Sequence, residues 1–160
     1  MAILTVPING LFRLTIFTIL CLCLPPATSI VSVLAMNLVV SNAGVKVLNG
    51  AYLPKPFTSI PAGFAATCQR MRWDPRQTWR QLAVPEAPWF EHDNGSYIYL
   101  HNDGRWWMDD PSGAGIYVCA RSSDMSVVPA NGWEPLTGGD PPMPTVTQTS
   151  GSTTIGSTEL

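Results

Sequence analysis

A mainly β chain, folded as a small antiparallel sandwich or barrel with at most one short helix, is what this sequence predicts. Short β-branched and aromatic runs recur at spacings of roughly ten residues, separated by clusters of Gly, Asn, Asp and Pro. The stretch His92-Asp93-Asn94-Gly95-Ser96, Tyr97-Ile98-Tyr99-Leu100, His101-Asn102-Asp103-Gly104, Arg105-Trp106-Trp107-Met108 reads as turn, strand, turn, strand. Roughly six to eight such strands with little helix describe a sandwich or barrel.

In chain order, Met36-Asn37-Leu38-Val39-Val40-Ser41 is a β-branched run that ends at the turn cluster Asn42-Ala43-Gly44. Val45-Lys46-Val47-Leu48 reads as a second short strand, and Asn49-Gly50 is a strong turn signal. Pro54, Pro56, Pro61 and Gly63 make the next stretch a loop, and residues 64–73 alternate in their later half. Asp74-Pro75 is a helix start, a capping side chain followed by proline at the first helical position. About two helical turns fit before Pro85 and Pro88 end them. Trp89-Phe90 leads into the central hairpin, and residues 115–121 form a clear strand. Residues 129–133 close the folded part, and Gly138-Gly139-Asp140-Pro141-Pro142 releases the chain. The domain therefore spans residues 36–140, long enough to bury a working core.

The flanks differ from this middle. Of 160 residues 46% are hydrophobic and only 12% charged, and before Lys46 the single charged side chain is Arg13. Arg13 precedes an apolar run over residues 14–24, Pro25-Pro26 stops it, and the small residues Ala27-Thr28-Ser29 follow. That is the pattern of a secretory signal peptide over residues 1–29, with a second cleavage candidate after Ala35. The run is shorter than the ~20 residues of a spanning helix. The alternatives are an uncleaved membrane anchor, which residues 31–40 would extend, and a buried core element. The expected location is secreted or extracellular, with a membrane as partner only in the anchor case. Residues 141–160 are rich in Pro, then in Ser and Thr, and read as a disordered, stalk-like tail. A net charge of −2 gives no support to nucleic-acid binding.

Cys21 and Cys23 would leave with the signal, so Cys68 and Cys119 remain. In an oxidising compartment they are expected to pair, closing a loop of about 50 residues worth roughly 4 kcal/mol. The alternative is two buried free thiols. Asn94-Gly95-Ser96 is the one N-glycosylation sequon, and it falls on a turn.

The catalytic inventory is thin. There is no nucleophile elbow, phosphate loop or paired His or Cys metal spacing, so no catalytic residue, metal or cofactor is expected. His92 beside Asp93 and His101 near Asp103 are histidine–carboxylate neighbours, but both stand in turns where polar residues satisfy backbone groups. Six tryptophans carry more weight. Trp106 and Trp107 must point to opposite faces of their strand. One of them, with Tyr97 or Tyr99 beside it, would make a stacking platform for a sugar or peptide unless both faces are covered. Arg76 and Arg80 share a helix face and either bind an anion such as a sulfated glycan or simply solvate that face.

Several fragments together resemble an uncharacterised small β-rich repeat module found in large algal, protist and invertebrate proteins. They are Val40-Ser41-Asn42-Ala43-Gly44 and Val47-Leu48-Asn49-Gly50-Ala51-Tyr52, then Ile98-Tyr99, Gly104-Arg105-Trp106-Trp107-Met108, Tyr117, Pro129, Gly132-Trp133 and the exit at residues 141–146. The similarity covers residues 38–146. Asn42 stands where the pattern has glycine, and residues 54–80 are an insert without counterpart. The resemblance implies a binding or spacer module and brings no enzymatic residues. The leading expectation is a noncatalytic secreted or cell-surface module that binds a glycan or an extracellular protein. The alternative is a small secreted hydrolase using His and Asp near the hairpin.

Overall fold

A computed structural model describes residues 32–154, with side chains over 36–150. The signal-peptide reading and its cleavage site after Ser29 lie outside the described residues, as do positions 155–160 of the tail. Eight antiparallel strands form one sheet, curled into a half-barrel, and two short helices cover its outer face. The mainly β expectation holds; the sheet curls part of the way to a barrel and leaves β7 and β8 as edges.

The strands are β1 (Ser32–Ser41), β2 (Gly50–Lys55), β3 (Trp89–His92), β4 (Tyr97–Leu100), β5 (Arg105–Asp109), β6 (Gly115–Ala120), β7 (Glu134–Pro135) and β8 (Thr145–Thr154). Their order in the sheet is β7-β6-β5-β4-β3-β2-β1-β8. The centre, β3 to β6, is a meander whose three turns share one design. His92, His101 and Asp110 stand nine residues apart, and each carbonyl accepts the N–H of Gly95, Gly104 or Gly113. Those glycines have φ of 90°, 82° and 82°, the left-handed region that closes such turns without strain.

The curl packs one face upon itself. Leu38, Tyr52, Phe90, Ile98, Leu100, Trp106, Met108, Tyr117, Cys119, Trp133 and Val146, drawn from nearly every strand, form one inner cluster. The Tyr117 hydroxyl fastens the seam: it donates to the Asp140 carbonyl and accepts from the Val45 N–H. Gly44 N–H bonds the Pro142 carbonyl at 2.8 Å, and a Cβ there would lie 2.2 Å from the Asp140 oxygen, so only glycine fits the crossing. On the outer face, helix α1 (Ala62–Arg70) and helix α2 (Pro75–Leu82) cover Trp89, Tyr97 and Tyr99 with Phe64, Cys68 and Trp79.

Several expectations are corrected. Two α-helices occur among the described residues, since residues 62–70 coil with Phe64 and Cys68 one turn apart on the buried side, a pairing a strand cannot make. Asp74 does cap α2, accepting the Gln77 N–H at 2.7 Å, as its sequence indicated. Residues Lys46–Leu48 are a 3-10 turn instead of a strand. Asn49 is drawn back to Ala43, its side chain bonding both backbone groups of that residue at 2.9 Å. Asn49 therefore ends the 3-10 turn, β2 begins at Gly50, and the pair makes no two-residue hairpin turn. β2 runs through Pro54, because β1 pairs only as far as Tyr52 and no neighbour needs the missing donor. The Ser/Thr-rich segment expected to be disordered from Thr145 is strand β8 as far as Thr154, in register with β1 along Ser32–Ser41. Threonine suits an extended chain, and pairing with β1 supplies the backbone partners that composition alone hides.

The expected Cys68–Cys119 disulfide is absent. Both thiols are free and buried, Cys68 under the helices and Cys119 inside the curl, on opposite faces of the sheet. Burial raises both thiols above their ordinary value, which keeps them unreactive. A reductant is therefore expected to leave the thermal midpoint unchanged, measured by circular dichroism with and without dithiothreitol. Loss of the roughly 4 kcal/mol that such a bridge supplies would show as a fall of many degrees and would restore the disulfide.

Candidate functional site

The residues expected to form a stacking platform divide between two interiors. Trp106 and Trp107 do point to opposite faces: Trp106 is fully buried within the curl, and Trp107 packs against the outer cluster. Tyr97 and Tyr99, at 0% and 4% exposure, lie beneath the helices, so no flat surface is open there. Trp107 is partly exposed, but its faces are taken. His101 stacks on it at 5.0 Å and 33°, and the Arg105 guanidinium sits 5.7 Å from the ring centroid.

Neither histidine is arranged for catalysis. The Nδ1 of His92 accepts the Asn94 N–H at 3.0 Å, and that of His101 accepts the Asp103 N–H at 3.1 Å. These bonds use each ring as a turn brace. Burial pushes the Asp103 carboxyl up, yet bonds from the Arg105 side chain and backbone and from Trp107, with the electrostatic influence of the neighbouring His101, together hold it below the usual range. No cluster of three or more His, Cys, Asp or Glu side chains suited to a metal occurs among the described residues.

Asn94 is exposed at the first meander turn, with Nδ2 donating to the Val47 carbonyl at 2.7 Å and Oδ1 accepting the Ser96 N–H at 2.8 Å. An N-linked sugar leaves one hydrogen on that nitrogen, so the contact to Val47 is compatible with modification.

What the fold leaves open is the outer side of α2. The helix is anchored by Trp79, 1% exposed, whose ring meets Phe64, Trp89 and Tyr99 at centroid distances of 5.0, 5.7 and 5.2 Å. With that edge inward, the remaining positions form two flanks about 100° apart around the axis. On one, Gln77 and Gln81 lie a turn apart beside Asp74, Thr78 and Leu82, and Trp73 borders the same cleft, of about 410 Å³. On the other, Arg76 and Arg80 rise above Phe57, Thr58, Ile60 and Trp79 around a cleft of about 470 Å³. The structure thus keeps Arg76 and Arg80 together, as the sequence indicated.

Trp73 is the residue that sequence reasoning passed over. It is 52% exposed although it is the largest of side chains, and Met71 beside it is 56% exposed. The chain leaves α1 through Arg72 at φ 60°, a left-handed position usually given to glycine, with the Trp73 N–H bonded back to the Cys68 carbonyl at 2.8 Å. This tight exit lifts Trp73 off the core. A signal was present: Trp73 directly precedes the capping Asp74, a position outside the helix and off its buried face.

The arrangement offers a free indole surface, two primary amides, a carboxylate oxygen and two guanidinium groups along one helix. It offers no nucleophile and no activated base. No protein-family model matches the chain, and no curated protein or solved structure is significantly similar to it.

Proposed function

We propose that this chain is a noncatalytic, secreted or cell-surface module that binds a glycan through Trp73 and the Gln77/Gln81 flank of α2. The observation that carries the reading is the half-exposed Trp73 ring beside two amides on one helix face. A sugar ring stacks its C–H face on an indole, and its hydroxyls pair with amide groups that both donate and accept. The cleft is within the size range of small-ligand sites. Delivery to the cell exterior is supported by the apolar N-terminal run and by the sequon at an exposed turn. Buried thiols fit that destination, since neither Cys68 nor Cys119 presents sulfur for exchange. Asn42 has φ 60°, which suits the glycine of the repeat module that the chain resembles and so supports membership of it.

A glycan array tests the reading, with Trp73→Ala alongside. The chain is expected to retain a set of oligosaccharides that the variant binds about tenfold more weakly or worse. Because Trp73 is outside the core, the variant's unfolding free energy should change by no more than about 0.5 kcal/mol. Binding unaltered by the substitution would remove Trp73 from the site, and an empty array would remove the glycan reading.

A further inference from the structure

We propose that the Arg76/Arg80 cleft is an anion subsite that selects glycans carrying a tetrahedral oxyanion ester, sulfate above all. The inference rests on the glycan reading and names the class of sugar. Arg76 and Arg80 are exposed, one turn apart on the same flank, and neither has an ion pair or a hydrogen bond among the described residues. Lys55 pairs with Glu91 at 2.9 Å, Arg105 with Asp103 at 2.7 Å, and Arg70 bonds the Ser112 carbonyl at 3.3 Å. Lys46, Arg72 and Arg121 also lack such a partner among the described residues, but of these unpartnered cations only Arg76 and Arg80 line one cleft together. The cleft wall opposite contributes Phe57, Thr58 and Ile60 and no carboxylate. The nearest acid in sequence, Asp74, faces the other flank and is engaged as the helix cap.

Like charges one turn apart repel, and an anion between them removes that penalty. Two guanidinium forks offer paired N–H donors, which match the several terminal oxygens of a sulfate better than the two of one carboxylate. The partly buried Phe57 and Ile60 provide apolar walls for the ring that bears the ester. Since the Trp73 cleft adjoins across Gln77 and Gln81, one oligosaccharide can place a ring on Trp73 and its ester on the arginines.

Calorimetric titration of the full chain decides the matter, using sulfated galactan, fucan and glycosaminoglycan hexasaccharides, their desulfated counterparts, an unsulfated polyuronate hexasaccharide and a phosphorylated mannan. Expected is a preference of about tenfold or more for a sulfated member over its counterpart, weakening with salt. That preference should vanish in Arg76→Gln/Arg80→Gln, a surface pair whose replacement leaves the thermal midpoint in place. Phosphorylated mannan binding in sulfate's stead would assign the same subsite to phosphate. Equal affinity for sulfated and desulfated forms, or a preference that survives the double substitution, overturns the subsite and leaves the Trp73 reading standing. A sulfate preference untouched by Trp73→Ala supports the subsite and overturns the stacking reading. If nothing in the panel binds, both fall.

Discussion

At pH 8 the Asp109→Asn variant is expected to be about 4 kcal/mol more stable than the parent chain, an advantage that shrinks to nothing near pH 4. Asp109 is 4% exposed and its Oδ1 has no hydrogen-bond partner. Burial raises its carboxyl from 3.8 to about 7, with the nearby Asp110 charge adding to the rise. Tyr97, its partner across β4 and β5, tempers the shift by proximity, but its hydroxyl is likewise without a bond of normal geometry. Between these two values the folded protein holds a proton that the unfolded chain has released. Stability from this group is therefore fully present below about pH 4 and is lost as pH rises through about 7. An amide keeps the shape, removes the charge and supplies a donor for the Tyr97 oxygen. Urea unfolding from pH 4 to 8 checks the outcome, and parallel profiles for parent and variant would show that Asp109 is not the responsible group. The strain falls where the outer layer is gripped, for Asp109 leads into the Asp110 turn, where Thr67 of α1 donates to the Ser112 carbonyl at 3.1 Å.

The meander was the legible part of this fold because its information is local. Asn-Gly, Asp-Gly and Ser-Gly pairs set the turns, and β-branched or aromatic residues fill the four to six positions between them. What the sequence hid depends on partners distant in the chain. Residues 145–154 look like a solvated tail until β1, more than a hundred residues earlier, provides the ladder. Asn49-Gly50 looks like a hairpin turn until Ala43 captures the asparagine. In residues 64–71 apolar and polar positions satisfy both a period of two and a turn of helix, and the bed of Trp79, Tyr97 and Tyr99 decides for the helix.

The same distinction governs the site. That Trp106 and Trp107 face opposite ways follows from strand geometry alone, and the pairing of Arg76 with Arg80 follows from helix geometry alone. Whether a given face is covered follows from neither. α1 and α2 lie over Tyr97 and Tyr99, and that contact joins segments 20 to 35 residues apart, with no trace in the local pattern. Trp73 was overlooked for the converse reason: its exposure depends on the left-handed turn at Arg72, a residue type seldom found there.

Trp79→Ala is expected to cost about 3–5 kcal/mol, and the loss should fall on the helical layer first. The Trp79 ring joins four segments: Phe57 of the loop after β2 at 6.2 Å, Phe64 of α1, Trp89 of β3 and Tyr99 of β4. Its Nε1 also donates to the Phe57 carbonyl at 3.2 Å, so truncation empties the centre of the outer cluster and orphans an acceptor. The inner cluster has no member in common with this one and is held by strand pairing on both sides. Hydrogen exchange should therefore show lost protection over Ala62–Arg70 and Pro75–Leu82 while β4, β5 and β6 keep theirs. Trp79→Phe, which refills most of the volume but leaves the Phe57 carbonyl unpaired, should cost about 1–3 kcal/mol. A uniform loss of protection across sheet and helices would mean that the two clusters unfold as one. With the layered outcome, glycan affinity should fall sharply in Trp79→Ala although the sheet persists, because Gln77, Gln81, Arg76 and Arg80 on α2, and Trp73 just before it, are presented by the helix whose buried anchor is Trp79, leaving only its C-terminal end tied to the sheet by Asn102.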